Sequence, residues 1–530
     1  MTRQIEIYDT TLRDGGQGLG VNLSLADKLA LTRRLDALGV AYIEGGWPGS
    51  NPKDAAYFEE VRALELRHAK ISAFGSTRHS KNDPGADPNL QQLLESRADV
   101  LCIFGKSWDL HVREALRVSE AENLDMIHSS VRYLKERTGR PVFFDAEHFF
   151  DGFRANPGHA LSALEAAASA GADRLVLCDT NGGSLPDQIV HAVDAAQQHL
   201  PSAWFAIHVH NDSGLAVANT LAAVQAGCIQ VQGTMNGIGE RCGNVDLTAV
   251  ISNLELKLGY RCLPPGQLEH LTELSQFVWE RLNLSAPLNQ PFVGKAAFAH
   301  KGGIHVSAMQ RNQQTYEHVA PERVGNVRRI LISEMAGKSS VQAKLQHRYP
   351  KLADAEVVSR VLNEIQDREA QGYSYEAADA SFDLLVRRQL GEWKPAFALH
   401  YYRVHGIGTE GSAASFVEAT VKLSVDGGVR LCVAEGNGPV DALSHALDLA
   451  LAPAFPELSR LQLVDYKVRV VNSVDGTGAK VRVLIEHRFD EVRYATVGVS
   501  ENIIEASWQA LVDAIDCTVH RIFELRNESP

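Results

Sequence analysis

Asp14 stands just past the run Ile5-Glu6-Ile7-Tyr8-Asp9-Thr10-Thr11-Leu12-Arg13, and His208 and His210 follow Trp204-Phe205-Ala206-Ile207. Along an extended strand, residues two apart point the same way. His208-Val209-His210 therefore offers two imidazoles to one side and an apolar side chain to the other. Two imidazoles and a carboxylate form the donor set of a facial divalent-metal site with positions left open for substrate. With water completing it, such a set accepts Mg, Mn, Zn or Co. Taken alone, an H-x-H pair reads equally well as two hydrogen-bonded strand histidines, so the surrounding elements must decide.

Those elements alternate regularly. Strand-like runs at 5–9, 41–44, 71–74, 100–104, 142–145, 174–178, 205–209 and 229–232 are separated by segments of helical length, among them 25–38, 157–170, 185–199 and 215–226. Ala37-Leu38-Gly39-Val40, Ser169-Ala170-Gly171-Ala172 and Gln225-Ala226-Gly227-Cys228 repeat one junction, with Gly expected in the left-handed conformation that ends a helix. Eight strand–helix units in about 260 residues predict an α/β fold of the (β/α)8 TIM-barrel type. A doubly wound sheet is the competitor, but Gly15-Gly16-Gln17-Gly18 does not fit its phosphate-turn fingerprint.

The chain has 530 residues, more than one core supports, so further domains are expected. We place the catalytic barrel at 1–262 and a helical linker subdomain at 263–396, with helical patterns at 268–282, 354–371 and 375–389. A C-terminal α+β domain at 397–530 follows. In it, strands at 416–425 and 429–435 precede a helix at 440–451. The order then repeats, with strands at 462–471, 479–487 and 492–499, a turn around Asp475-Gly476 and a helix at 503–516. This module has no compact cluster of His, Cys or carboxylates and reads as regulatory or interface material. The net charge of −13 argues against nucleic-acid binding, and no apolar run is long enough to span a membrane. Seven Cys without C-x-x-C spacing, and no basic-then-apolar leader, predict reduced thiols and a cytoplasmic location.

In such barrels the active site lies at the C-terminal strand ends. The unusual polar residues fall there: Arg13-Asp14, Glu44, Asp145-Ala146-Glu147-His148, Asp179-Thr180-Asn181, His208 to Asp212, and Thr234-Met235-Asn236. A Gly-rich loop follows, Gly237-Ile238-Gly239-Glu240-Arg241-Cys242-Gly243-Asn244. Six polar ends on one rim are hard to explain as solvated loops.

Asp9-Thr10-Thr11-Leu12-Arg13-Asp14-Gly15, His208-Val209-His210-Asn211-Asp212 and the stretch from Asn236 to Asn244 resemble the signatures of the 2-isopropylmalate, homocitrate and citramalate synthase family. So do Phe298-Ala299-His300-Lys301-Gly302-Gly303-Ile304-His305 and Gly436-Asn437-Gly438-Pro439-Val440-Asp441-Ala442, so the likeness spans the chain. Within the family, the stretch from Ile43 to Asp54 and that from Phe144 to Gly152 resemble the citramalate-forming branch.

The resemblance implies an acyltransferase that condenses acetyl-CoA with pyruvate to citramalate and CoA, the first step of a threonine-independent isoleucine route. It implies Asp14, His208, His210 and Asn244 as metal ligands, with Asn244 either a fourth ligand or a contact behind the ligands. Arg13, Asp14, Glu147 and Thr180 would meet the 2-oxo acid, and Arg13 would also stabilise developing negative charge. His305, assisted by Tyr316, would act as acid/base, delivered to the barrel mouth by a partner subunit. The implied assembly is a homodimer inhibited by isoleucine, with Gly436 and Gly438 near the effector. One departure is Gly16, where the family commonly has Glu or Ala; altered loop freedom is expected there. Two alternatives keep the fold: 2-isopropylmalate or homocitrate synthesis, and a lyase cleaving a hydroxyacyl-CoA. A further alternative, a metal-free sensor on a barrel scaffold, fits poorly with the complete Arg13, Asp14, His208 and His210 set.

Overall fold

The computed structural model describes residues 3–300, 305, 308–309, 311–330, 355–407, 416–471, 478–490 and 492–528. Lys301 to Ile304 of the linker motif, the turn at Asp475-Gly476 and the first residue of the helix expected from 354 lie outside them. Two compact units result: Met1–Phe298 with His318–Arg328, and Ala299–Glu317 with Arg329–Pro530.

In the first unit, eight parallel strands close into a barrel: β1 (Glu6–Asp9), β2 (Tyr42–Gly46), β3 (Lys70–Ser76), β4 (Val100–Lys106), β5 (Val142–Glu147), β6 (Arg174–Asp179), β7 (Phe205–Val209) and β8 (Gln230–Gly233). Closure is made by β8 pairing with β1, from Glu6 opposite Gln230 to Asp9 opposite Gly233. Strand alternation sorts the side chains. Ile7, Ile43, Ile103, Phe144, Leu175, Ile207 and Val231 pack into the large cluster shared with the helices, while Tyr8, Tyr42, Phe74, Cys102 and Phe143 form a separate one. The helix Leu25–Leu38 begins on a capping box of Ser24 and Asp27 and ends at Gly39. Gly39, Gly171 and Gly227 all have positive φ, as the repeated junction predicts.

Several strands outrun their sequence patterns. β4 and β5 continue to Lys106 and Glu147, paired opposite one another, because each added residue finds a ladder partner in a closed parallel sheet. β1 stops at Asp9, where its sequence run also ends. Asp14 comes from the following turn, in which Arg13 and Gly15 donate backbone N–H groups to the Thr10 carbonyl. The helix Leu271–Leu282 belongs to the same compact unit as the barrel.

The second unit carries two three-stranded antiparallel sheets. Strands Ala398–Ile407, Phe416–Val425 and Gly428–Gly436 precede the helix Pro439–Leu451. Strands Leu461–Val470, Val481–Phe489 and Val492–Ser500 precede the helix Ile503–Glu528. Each sheet's first strand carries an irregularity at the matching place, Leu399/Tyr401 and Leu463/Asp465, so the repeat extends to fine detail. Both helices share one core, in which Leu443, Leu447 and Leu451 meet Leu511 and Ile515. Among the described residues no helix is long and apolar enough to cross a membrane.

Candidate functional site

Asp14, His208 and His210 converge at the C-terminal mouth of the barrel, with one ligand atom from each within 4.8 Å of the others. His208 Nε2 lies 3.2 Å and His210 Nε2 3.9 Å from Asp14 Oδ2, and the two Nε2 atoms are 3.4 Å apart. All three side chains are buried. Val209 faces the helices, as alternation requires.

Asn244 closes the group from the Gly-rich loop. Its Nδ2 donates to Asp14 Oδ2 at 2.9 Å and approaches His208 Nε2 at 3.3 Å, while its Oδ1 is buried with no partner among the described residues. An orphaned amide oxygen beside two imidazole nitrogens and a carboxylate is the donor set a borderline or hard divalent cation takes. The residues fit the group. Gly239 makes room for this amide, since a Cβ there would sit 2.1 Å from Asn244 Oδ1. Gly239→Ala should therefore displace Asn244 and weaken cation binding about 10- to 100-fold, the usual cost of disturbing a metal site's surroundings. A metal titration of the folded variant that matches the parent would count against the Asn244 assignment.

Arg13 forms the second layer. Its Nε and Nη2 donate to Glu44 Oε2 at 3.1 and 3.0 Å, Nη1 lies 3.5 Å from Asp14 Oδ1, and the guanidinium rests 3.8 Å over the Phe74 ring. Trp47 packs edge-on against both Phe74 and Phe104, which stack on each other. The electrostatics are uneven. Burial would raise Asp14, yet Arg13 and the two imidazoles hold its carboxyl far below the usual range. Burial, with help from Asp145, pushes Glu44 up to about 7 despite Arg13. His210 is pushed down to about 4, chiefly by burial and then by His208. Burial also opposes a charge on His208, but its bond to Asp14 outweighs that and raises it.

Glu147 ends β5 and is ion-paired with Lys106 from β4. The Thr180 hydroxyl accepts the His148 backbone N–H at 2.9 Å, tying the ends of β6 and β5 together. Arg241 clasps the Gly-rich loop to the rim through Asp212 and the Thr180 carbonyl, at 2.7 Å each. Deeper down, Asn236 accepts from Ser275 and Gln290, fixing the loop's first turn to the helix Leu271–Leu282 and the segment beyond it. A Cβ at Gly16 would meet nothing within 4 Å, so the family's larger residue would find space there.

His305 and Tyr316 belong to the second unit and stack, with ring centroids 4.2 Å apart. Both are exposed. Gly436 ends a strand where a Cβ would meet the backbone of Ala442 at 2.3 Å, and Gly438 caps the helix Pro439–Leu451. Lys106, Arg241, Asp145 and Gln232 also border the site and received no role from the sequence. Arg241 was visible in the Gly-rich loop and Asp145 in the polar end of the fifth strand. Lys106 and Gln232 carried no such signal.

Comparison with known proteins adds three family matches. Residues 4–278 match the family described as HMGL-like, 292–372 the homocitrate synthase post-HMGL domain-like family, and 376–519 the LeuA allosteric (dimerisation) domain. The chain is 48% identical over 522 residues to an (R)-citramalate synthase of Geobacter sulfurreducens, covering 98% of each. It is 50% identical over 521 residues to an (R)-citramalate synthase of Synechocystis, covering 96% of this chain and 95% of the relative. A probable 2-isopropylmalate synthase of Methanopyrus kandleri is 32% identical, over 98% of this chain and 99% of that one.

Proposed function

Because the chain belongs to the HMGL-like family and to its (R)-citramalate synthase group, we propose that it condenses acetyl-CoA with pyruvate to give citramalate and free CoA. One observation carries this reading. Identity of 42–50% to five (R)-citramalate synthases extends over 96–98% of the chain, against 30–32% for three 2-isopropylmalate synthases.

The residues divide the chemistry between them. Asp14, His208 and His210 would hold a divalent cation, with Asn244 beside them. When bound, that cation supplies Lewis-acid polarisation of the 2-oxo acid's carbonyl. Arg13, locked by Glu44 and Phe74, aims a fixed positive charge at the oxygen that becomes an alkoxide. Glu147 and Thr180 orient the 2-oxo acid from the next rim positions. His305, with Tyr316 stacked on it, takes the acid/base role: it accepts the proton that leaves the acetyl-CoA methyl group, the carbanion forms the new bond to the keto carbon, and a proton returns to the resulting alkoxide. Water then cleaves the thioester and CoA departs.

The three-part division at 262 and 396 follows this reading, with barrel for chemistry, linker for His305 and closing module for control. The match of 376–519 to an allosteric dimerisation domain supports a homodimer inhibited by the pathway's end product, for which we infer isoleucine. We infer that Gly436 and Gly438 lie near the effector and that the setting is cytoplasmic.

The test is a panel. Purified protein with acetyl-CoA should release CoA fastest with pyruvate, and isoleucine should slow it more than leucine does. Preference for 2-oxoisovalerate would reject pyruvate as the substrate and favour 2-isopropylmalate synthesis.

A further inference from the structure

The two imidazoles at the barrel mouth are held very differently. His210 Nδ1 is buried with no hydrogen-bond partner among the described residues. His208 Nδ1 lies 3.1 Å from Gln232 Oε1, and the register puts these residues side by side on β7 and β8. Gln232 is itself buried, with its Nε2 at 3.4 Å from Asp145 Oδ1. That oxygen also accepts the Cys102 thiol at 3.1 Å. With Asp145 ionised, the chain of contacts has one consistent sense. Asp145 Oδ1 accepts, so the amide must turn its NH2 toward Asp145 and its oxygen toward His208. An amide oxygen is an acceptor only, so His208 must carry its proton on Nδ1.

We propose that Gln232 is the positioning residue of this centre, fixing the His208 tautomer and ring angle that leave Nε2 free to bind a cation, with Asp145 locking the amide. Metal-bound imidazoles usually rest on a carboxylate, a backbone carbonyl or water. Here an uncharged side chain does that work, and the carboxylate stands one step farther back. The consequence is chemical. A carboxylate directly on Nδ1 would make His208 a stronger donor and soften the cation's pull on a carbonyl. Glutamine orients the ring and adds no negative charge beside Asp14 and Glu44.

This inference rests on the proposed metal centre, and the experiment separates the two. Mn or Co is titrated into metal-free full-length protein, the parent beside Gln232→Met and Asp145→Asn, and the His208 ring nitrogens are read by 15N NMR under alkaline conditions. Gln232→Met should weaken cation binding about 10- to 100-fold, Asp145→Asn less and in the same direction. The parent should show the proton on Nδ1, and Gln232→Met a mixture of tautomers. Parental affinity and an unchanged tautomer in Gln232→Met would overturn the role of Gln232 while leaving the centre intact. No cation uptake by the parent would overturn the centre itself, and this role with it. Should Gln232→Met fail to fold, the parent alone decides, since a proton found on Nε2 overturns the proposal.

Discussion

Replacing Asp14 by Asn, or His208 or His210 by Ala, is expected to lower CoA release by about 1,000-fold or more, which corresponds to several kcal/mol of lost carbonyl polarisation. The ligand atoms of these three residues meet within 4.8 Å, so deletion of one leaves a cation with too few protein donors. Bound metal per chain should fall in parallel, and far-UV circular dichroism should not change. A folded His208→Ala protein that keeps parental turnover would remove the metal from the mechanism. Chelation of the parent should reproduce the loss, and added divalent metal should reverse it. Protons oppose the cation here. His210 titrates at about 4 and is already free at neutral pH, whereas Asp14 holds His208 above its ordinary value. His208 is thus the ligand that must release a proton. Cation affinity should be complete above its raised value and fall as the pH drops through it, a dependence that pH-resolved metal titration reads directly.

Arg13→Ala should cost both turnover and stability. Its guanidinium lies 3.5 Å from Asp14 and 3.0 Å from Glu44, and Asp145 adds a third buried carboxylate to the same field. Removing one partner from a buried charge cluster typically costs about 3–5 kcal/mol, because the remaining charges stay unpaired. In turnover, loss of a fixed donor at a developing oxyanion typically costs about 100- to 1,000-fold. Arg13→Lys should recover stability better than rate, since an ammonium supplies charge without the two-pronged grip on Glu44. Thermal unfolding and steady-state CoA release, measured on both variants, test this pairing. Parental melting with Arg13→Ala would show that the buried carboxylates need no counter-charge.

The sequence announces the site where chemistry and strand period coincide. His208 and His210 sit two apart on one strand, and Asp14 follows the first strand, so their convergence was legible before any coordinates. Asn244 was legible only through the resemblance that its Gly-rich loop bears to the family. Gln232 was not. In Ile229-Gln230-Val231-Gln232 it looks like any polar residue of an alternating strand, and only the pairing of β8 with β7 sets it against His208. Lys106 was hidden differently. Gly105 interrupts the β-forming run, and the strand continues past it only because its neighbour does. The stacking of His305 on Tyr316 lies eleven residues apart in sequence, a spacing no helix or strand period suggests. The lock of Asn236 on Ser275 and Gln290 crosses the boundary read at 262, where a shift in composition says nothing of what the chain touches.

The seam between the first and last strands of the barrel bears on how the protein is made. Asp14 lies just beyond one edge of that seam and Asn244 just beyond the other, 230 positions apart along the chain. A nascent polypeptide leaving the ribosome thus exposes its acidic ligand long before the imidazoles and the amide exist. The full donor set of Asp14, His208, His210 and Asn244 cannot assemble until the ring is zipped. Once captured, a cation clamps the two ends of the zip together, so supplying metal during refolding should act as a latch on the finished circle rather than as a seed for it.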